Sequence, residues 1–197
     1  MRHAIGFRAR ATRGAMLAPV KTTAAMLFAL GFVALSVLVK NDLRHQDSPL
    51  AGLGIGEKMP DFTLKDLSGA DVSLAETVRA NKVVAINFWA SWCGPCRLEM
   101  PGFEKLYQKR HQEGFVLLAI NEDEHPDEMT TYLRDRPVTF PVLVDKDGAL
   151  MKRFKVAALP TTILVNQQGE IMNVTQGVMP FFSALVEVEL RNAQTRK

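Results

Sequence analysis

The chain has 197 residues, 47% of them apolar, with 24 Lys plus Arg against 21 Asp plus Glu and two cysteines; this is about one domain of core-forming protein, and it argues against disorder, a multi-bridge disulfide scaffold or a four-thiolate zinc site. Six of the basic residues, Arg2, Arg8, Arg10, Arg13, Lys21 and Lys40, precede residue 41 with no acid among them, leaving 18 bases against 21 acids beyond it. A basic leader on a mildly acidic domain argues against a nucleic-acid-binding surface on the folded part.

In chain order, residues 1–21 form that basic leader. Thr22 to Val39 follow as 18 residues without a charge, which at about 1.5 Å per residue make a helix of about 27 Å, close to the hydrocarbon thickness of a bilayer. No polar stripe breaks the run, which disfavours a buried core helix. A single membrane-spanning anchor over 22–39 is expected, with the leader in the cytoplasm and everything after Lys40 exported. A cleaved signal peptide is the alternative, since Ala34-Leu35-Ser36 loosely matches a small-x-small site. In a bacterium either reading puts the domain in the periplasm or on the outer face of the inner membrane. Residues 40–57 mix charges with Pro49, Gly52, Gly54 and Gly56 and read as a linker. The domain is expected over 58–197, with no internal repeat.

Inside it, 61–64 and 70–73 read as a short hairpin around Ser68-Gly69. Lys82 to Phe88 is an almost continuous apolar run, the pattern of a strand buried on both faces. The two cysteines follow as Cys93-Gly94-Pro95-Cys96, leading into a helix whose clearest stretch is 101–112, ended by Gly114. Then come a strand over 115–120, a helix over 126–136, a strand over 140–144 and a short helix over 148–154. A second hairpin, 162–166 with 171–176, and a helix over 180–190 complete the domain. This order predicts an α/β fold with a mixed sheet flanked by helices.

The C-x-x-C has a chemical logic at that place. A thiol at a helix start faces unpaired backbone N–H groups and the positive end of the helix, so it ionises more readily than at its usual pKa of about 8.5. Cys93 is therefore the expected nucleophile, and Cys96, one turn on, is close enough to close a ring with it. Half a zinc site is the competing reading, but His45, His111 and His125 show no paired ligand spacing. A permanent structural disulfide is another, although bridging two residues removes little chain entropy.

The run Phe88-Trp89-Ala90-Ser91-Trp92-Cys93-Gly94-Pro95-Cys96-Arg97, with Met100-Pro101 after it and Leu159-Pro160-Thr161-Thr162 downstream, resembles the thioredoxin superfamily, and within it the membrane-tethered TlpA/ResA/DsbE group of thiol-disulfide oxidoreductases. The resemblance covers nearly all of 58–190. It implies a thioredoxin-like sheet with an N-terminal hairpin and an added strand-helix unit over 115–136, preceded here by the transmembrane helix. It also implies that Cys93 and Cys96 are catalytic and that Trp92, Gly94, Pro95, Leu159 and Pro160 form the substrate-binding rim. Pro160 corresponds to the family's cis-proline; an ordinary turn proline is the plainer reading. Trp92 packs beside the reactive sulfur in the family, and core filling is the plainer reading.

Two departures bear on proton transfer. The aspartate that thioredoxins bury before the motif is replaced by Asn87, which cannot titrate, and the glutamate that some tethered members carry inside the C-x-x-C is Gly94. Glu99 is the remaining candidate for a proton relay to Cys96, with an exposed charge on the first helical turns as the alternative. The acidic run Glu122 to Glu128 reads as a solvated loop and helix start.

By resemblance, then, the chain is an anchored periplasmic oxidoreductase that reduces client disulfides and needs no cofactor or metal beyond its Cys93-Cys96 pair. Apocytochrome c or a copper-site protein are the clients implied, and a transmembrane protein of the DsbD/CcdA type is the electron donor. A thiol oxidase or isomerase is the nearest alternative. A copper chaperone of the Sco type would need a wider C-x-x-x-C and a downstream histidine, and a peroxiredoxin-type peroxidase would need a threonine shortly before its cysteine; neither pattern is present.

Overall fold

The computed structural model describes residues 53–195. Strands β1 (Thr63–Asp66) and β2 (Asp71–Ser73) form the expected hairpin, and helix α1 (Leu74–Ala80) follows at once. Then come β3 (Val83–Trp89), α2 (Gly94–Arg110), β4 (Phe115–Asn121), α3 (Pro126–Asp135), β5 (Val142–Val144) and α4 (Ala149–Arg153). The hairpin of β6 (Thr161–Asn166) and β7 (Ile171–Gln176) precedes α5 (Phe182–Thr195). The leader, the expected membrane span over 22–39 and most of the linker lie outside the described residues. Among the described residues no helix is long and apolar enough to cross a membrane.

All seven strands join one sheet in the order β2-β1-β5-β4-β3-β6-β7. β3 runs parallel to β4, and β4 to β5, while β6 and β7 are antiparallel and β1 closes antiparallel on β5. β3 and β4 are central, which explains their apolar runs: every residue of β3 is buried. Side chains alternate across a strand, so Val83, Ala85 and Trp89 face one apolar layer while Val84, Ile86 and Phe88 face the other. The first layer is covered by α2, α3 and α5 through Phe103, Leu106, Met129, Phe182 and Val186, the second by α1 and α4 through Leu74, Val78 and Leu150. Each such side chain contributes about 1.5–3 kcal/mol on burial.

Three differences from the sequence reading have physical reasons. The helix after the cysteines is one 17-residue element from Gly94, with Pro101 inside it; Pro101 has no N–H for the Arg97 carbonyl, yet packing of Met100, Phe103 and Leu106 carries the helix through. α1 has no counterpart in the sequence reading. Its signals are local: Ser73 caps it by accepting from the Glu76 N–H, and Leu74 and Val78 are buried one turn apart. Finally, packing reaches back into the expected linker. Leu53 is buried, and the Gly56 N–H donates to the Ile171 carbonyl while the Ile171 N–H donates to that of Glu57, so Gly56 and Glu57 pair with the start of β7.

Candidate active site

β3 delivers its C-terminal end, Phe88-Trp89, to a four-residue turn and then to α2. Cys93 is the N-cap of α2 in extended backbone conformation, and its sulfur accepts from the Cys96 N–H at 3.2 Å. The contact places the sulfur where the helix offers unpaired donors, the arrangement that stabilises a thiolate. Cys93 and Cys96 are joined by a disulfide across a Cα separation of 5.3 Å. Both residues are nearly buried, whereas Trp92, Gly94, Pro95 and Leu98 around them are exposed. Trp92 is 63% exposed, which removes the core-filling reading for it.

The preceding turn is held from another part of the chain. The Ser91 N–H donates to both oxygens of Asp123, at 2.9 and 3.1 Å, and the Asn121 side-chain amide donates to the same carboxylate. The Cys93 N–H donates to the Ala90 carbonyl, and the Arg97 N–H to that of Cys93. Sequence reasoning missed Asp123, and only a long-range pairing of β3 with β4 brings it here: Trp89 and Asn121 are register partners.

The loop before β6 arrives at the same end of the sheet. β6 pairs antiparallel with β3 so that Thr161 faces Phe88 and Thr162 faces Asn87; the residue before β6 is therefore beside the residues that lead to Cys93. That residue is Pro160, and the Leu159-Pro160 bond is cis. The Pro160 carbonyl accepts from the Gly177 N–H at 2.7 Å, and Gly177, at φ 85°, is in the left-handed region that favours glycine. Leu159 packs partly buried against both apolar layers. Asn87, between Ala85 and Trp89, is buried and donates to the Thr162 hydroxyl at 2.9 Å.

Glu99 is buried, at 8% exposure, rather than an exposed charge on the helix. One carboxylate oxygen accepts from the Met179 N–H at 2.7 Å, and the other is buried without a partner. Burial pushes its pKa above the usual carboxylate range, with the Met179 hydrogen bond opposing part of the rise. The loop after β7 thus covers the α2 face that also carries Cys96, which spacing along α2 alone could not reveal.

The acidic run divides in the same way. Asp127 and Glu128 occupy the first turn of α3, as expected. Glu122 is half-buried rather than fully solvated: burial, and then repulsion from Asp145, push its pKa up to about 9, with a hydrogen bond to Asp145 favouring the protonated form. Asp145 itself accepts from the Leu150 and Met151 N–H groups.

The AhpC/TSA family model matches residues 55–174. The chain is 37% identical over 131 residues to the thioredoxin-like protein YneN of Bacillus subtilis, covering 65% of this chain and 75% of that one. It is 36% identical over 124 residues to the thiol-disulfide oxidoreductase ResA of Halalkalibacterium halodurans, covering 63% and 69%. Its fold matches the crystal structure of a DsbE-type thiol:disulfide interchange protein from Chlorobium tepidum, with a TM-score of 0.64 and 31% identity over 72% of this chain and 99% of that one. A helix-capping C-x-x-C with an exposed rim beside a cis-proline loop on a thioredoxin-like sheet, together with these relatives, makes the chain a thiol-disulfide oxidoreductase of the ResA/DsbE type, a member of the AhpC/TSA family.

Proposed function

We propose that the protein reduces client disulfides outside the cytoplasm, held to the inner membrane by residues 22–39, with Cys93 as nucleophile and Cys96 as resolving thiol. The observation that carries the assignment of roles is the capping geometry of Cys93. A thiolate there accepts the Cys96 N–H, which favours ionisation of Cys93 over Cys96. The Cys93 thiolate attacks a client disulfide, displacing one client thiolate and forming a mixed disulfide; Cys96, deprotonated, attacks Cys93 and releases the second client thiolate. The two client sulfurs gain two electrons, and the protein is left with the Cys93-Cys96 disulfide. A transmembrane dithiol donor of the DsbD/CcdA type returns the electrons.

Trp92, Gly94 and Pro95 on one side and Leu159 and Pro160 on the other form the rim that receives the client backbone. Glu99 supports proton transfer at Cys96, because a buried carboxyl with a raised pKa on the same helix face holds its proton more readily than an exposed one and can pass it on. Apocytochrome c before haem attachment and copper-site dithiols are the clients this reading favours. Gly-Pro between the cysteines matches the strongly reducing type, near about −270 mV. A redox titration of the purified protein against glutathione tests the direction: a potential near that value supports the reductant, and one above about −180 mV makes the protein an oxidase or isomerase.

A further inference from the structure

Two arginines converge on one aromatic ring beside the dithiol helix. The guanidinium carbon of Arg97 lies 5.7 Å from the centre of the Tyr132 ring, and that of Arg136 lies 5.6 Å from it. Each contact is favourable by itself, but gathering two cations at one ring costs mutual repulsion that a nearby anion would relieve. Among the described residues neither arginine forms an ion pair, and neither does Lys105.

Lys105 and Arg136 border a groove of about 410 Å³ between α2 and the chain after α3, and Arg97 reaches it through the Tyr132 ring that lines it. Met100, Pro101, Tyr132, Pro137 and Val138 give it apolar walls, and Lys105 and Arg136 stand at its rim. The one acid in the groove, Glu104, is already engaged. Its two oxygens accept from the Gln108 side chain, the Thr139 hydroxyl and the Thr139 N–H at 2.6–2.8 Å. An apolar groove with unpaired cations thus lies on a domain whose remaining charge is acidic, with 18 bases against 21 acids after residue 40.

We propose that this groove docks an acidic, apolar-containing segment of the client protein whose disulfide the Cys93 sulfur attacks. The inference rests on the thiol-exchange reading above. Arg97 directly follows Cys96, and Met100 is four residues on, about 6 Å along the helix axis. A partner joined to Cys93 needs only a few extended residues to enter the groove. Two cations among apolar walls, with Arg97 behind the Tyr132 ring, suit a short acidic peptide better than a phosphate backbone, and opposite charge steers the encounter while disfavouring basic partners.

The test uses the full chain and two peptides with the same apolar centre, flanked by glutamates in one and lysines in the other. Each is made in a serine form for binding and in a disulfide form for exchange. The acidic serine peptide is expected to bind about tenfold more tightly than the basic one at low salt, and the acidic disulfide peptide to be reduced faster by a similar ratio. Both preferences should collapse in K105E/R136E and persist in the charge-matched pair R79E/K146E, whose residues do not line the groove. Equal affinity for the two serine peptides, a preference undiminished in K105E/R136E, or equal loss in the control pair overturns the inference. So does sedimentation with phosphatidylglycerol vesicles that is lost in K105E/R136E, which would make the groove a membrane site. Absent exchange with an intact binding preference would instead overturn the exchange reading and leave the groove assigned.

Discussion

Glu99 lies one turn beyond Cys96 on α2, with one oxygen on the Met179 amide and the other buried without a partner. Spacing places it on the Cys96 face, but burial depends on the loop at 177–181, which is distant in sequence; this is why its exposure was not legible. If it serves Cys96, Glu99→Gln should slow exchange by about tenfold to a hundredfold. It should also remove from the pH profile of kcat/KM an ionisation lying above the usual carboxylate range. A profile of unchanged shape would make the residue structural. Glu122 gives a separate prediction about stability. Its pKa is raised, to about 9, by burial and by Asp145, so the folded state binds more protons than the unfolded one between about 4.5 and 9. Its stabilising contribution is complete below the unfolded value and is lost as pH rises through 9. Glu122→Gln, which keeps a donor toward Asp145, should therefore be more stable than the parent at pH 9 by about 2 kcal/mol, a figure reduced for partial exposure to water. Urea denaturation of both proteins at pH 5 and pH 9 checks the sign, and an equal loss of stability in both would contradict it.

At the scale of elements, the strand-turn-helix unit was readable because each part has a local signal: seven buried residues in β3, a C-x-x-C turn, and apolar spacing along α2. α1 was not, since seven residues carry too few turns for periodicity to stand out against the strand they follow. Asp123 was hidden for another reason: its function in the fold is to hold the Ser91 amide across a separation of 32 residues. Asp123→Ala leaves that amide and the Asn121 side chain without their acceptor. It should destabilise the protein by about 1–2 kcal/mol. Amide exchange should accelerate most at residues 90–93. Uniform acceleration across the domain would show that Asp123 stabilises the fold in general and does not hold this turn in particular.

For the molecule as a whole, alternating strands and helices sufficed to give the α/β class, but not the sheet order. The closure of β1 on β5 and the pairing of Gly56 and Glu57 with the start of β7 are long-range contacts with no local pattern. The sheet order matters for chemistry because the register of β6 against β3 brings the Pro160 loop beside the turn that carries Cys93. The proposed function stands on that juxtaposition: a client backbone received between the two loops, and a client disulfide attacked by the sulfur at the helix cap. The most direct test is to replace the resolving thiol. Cys96→Ala, expressed in its native host, should accumulate as mixed disulfides through Cys93 with exported client proteins, released by dithiothreitol and absent from the Cys93→Ser/Cys96→Ala double variant. The same species in the Cys93→Ser single variant, or no captured client together with failure of the unmodified protein to reduce insulin, would contradict the account.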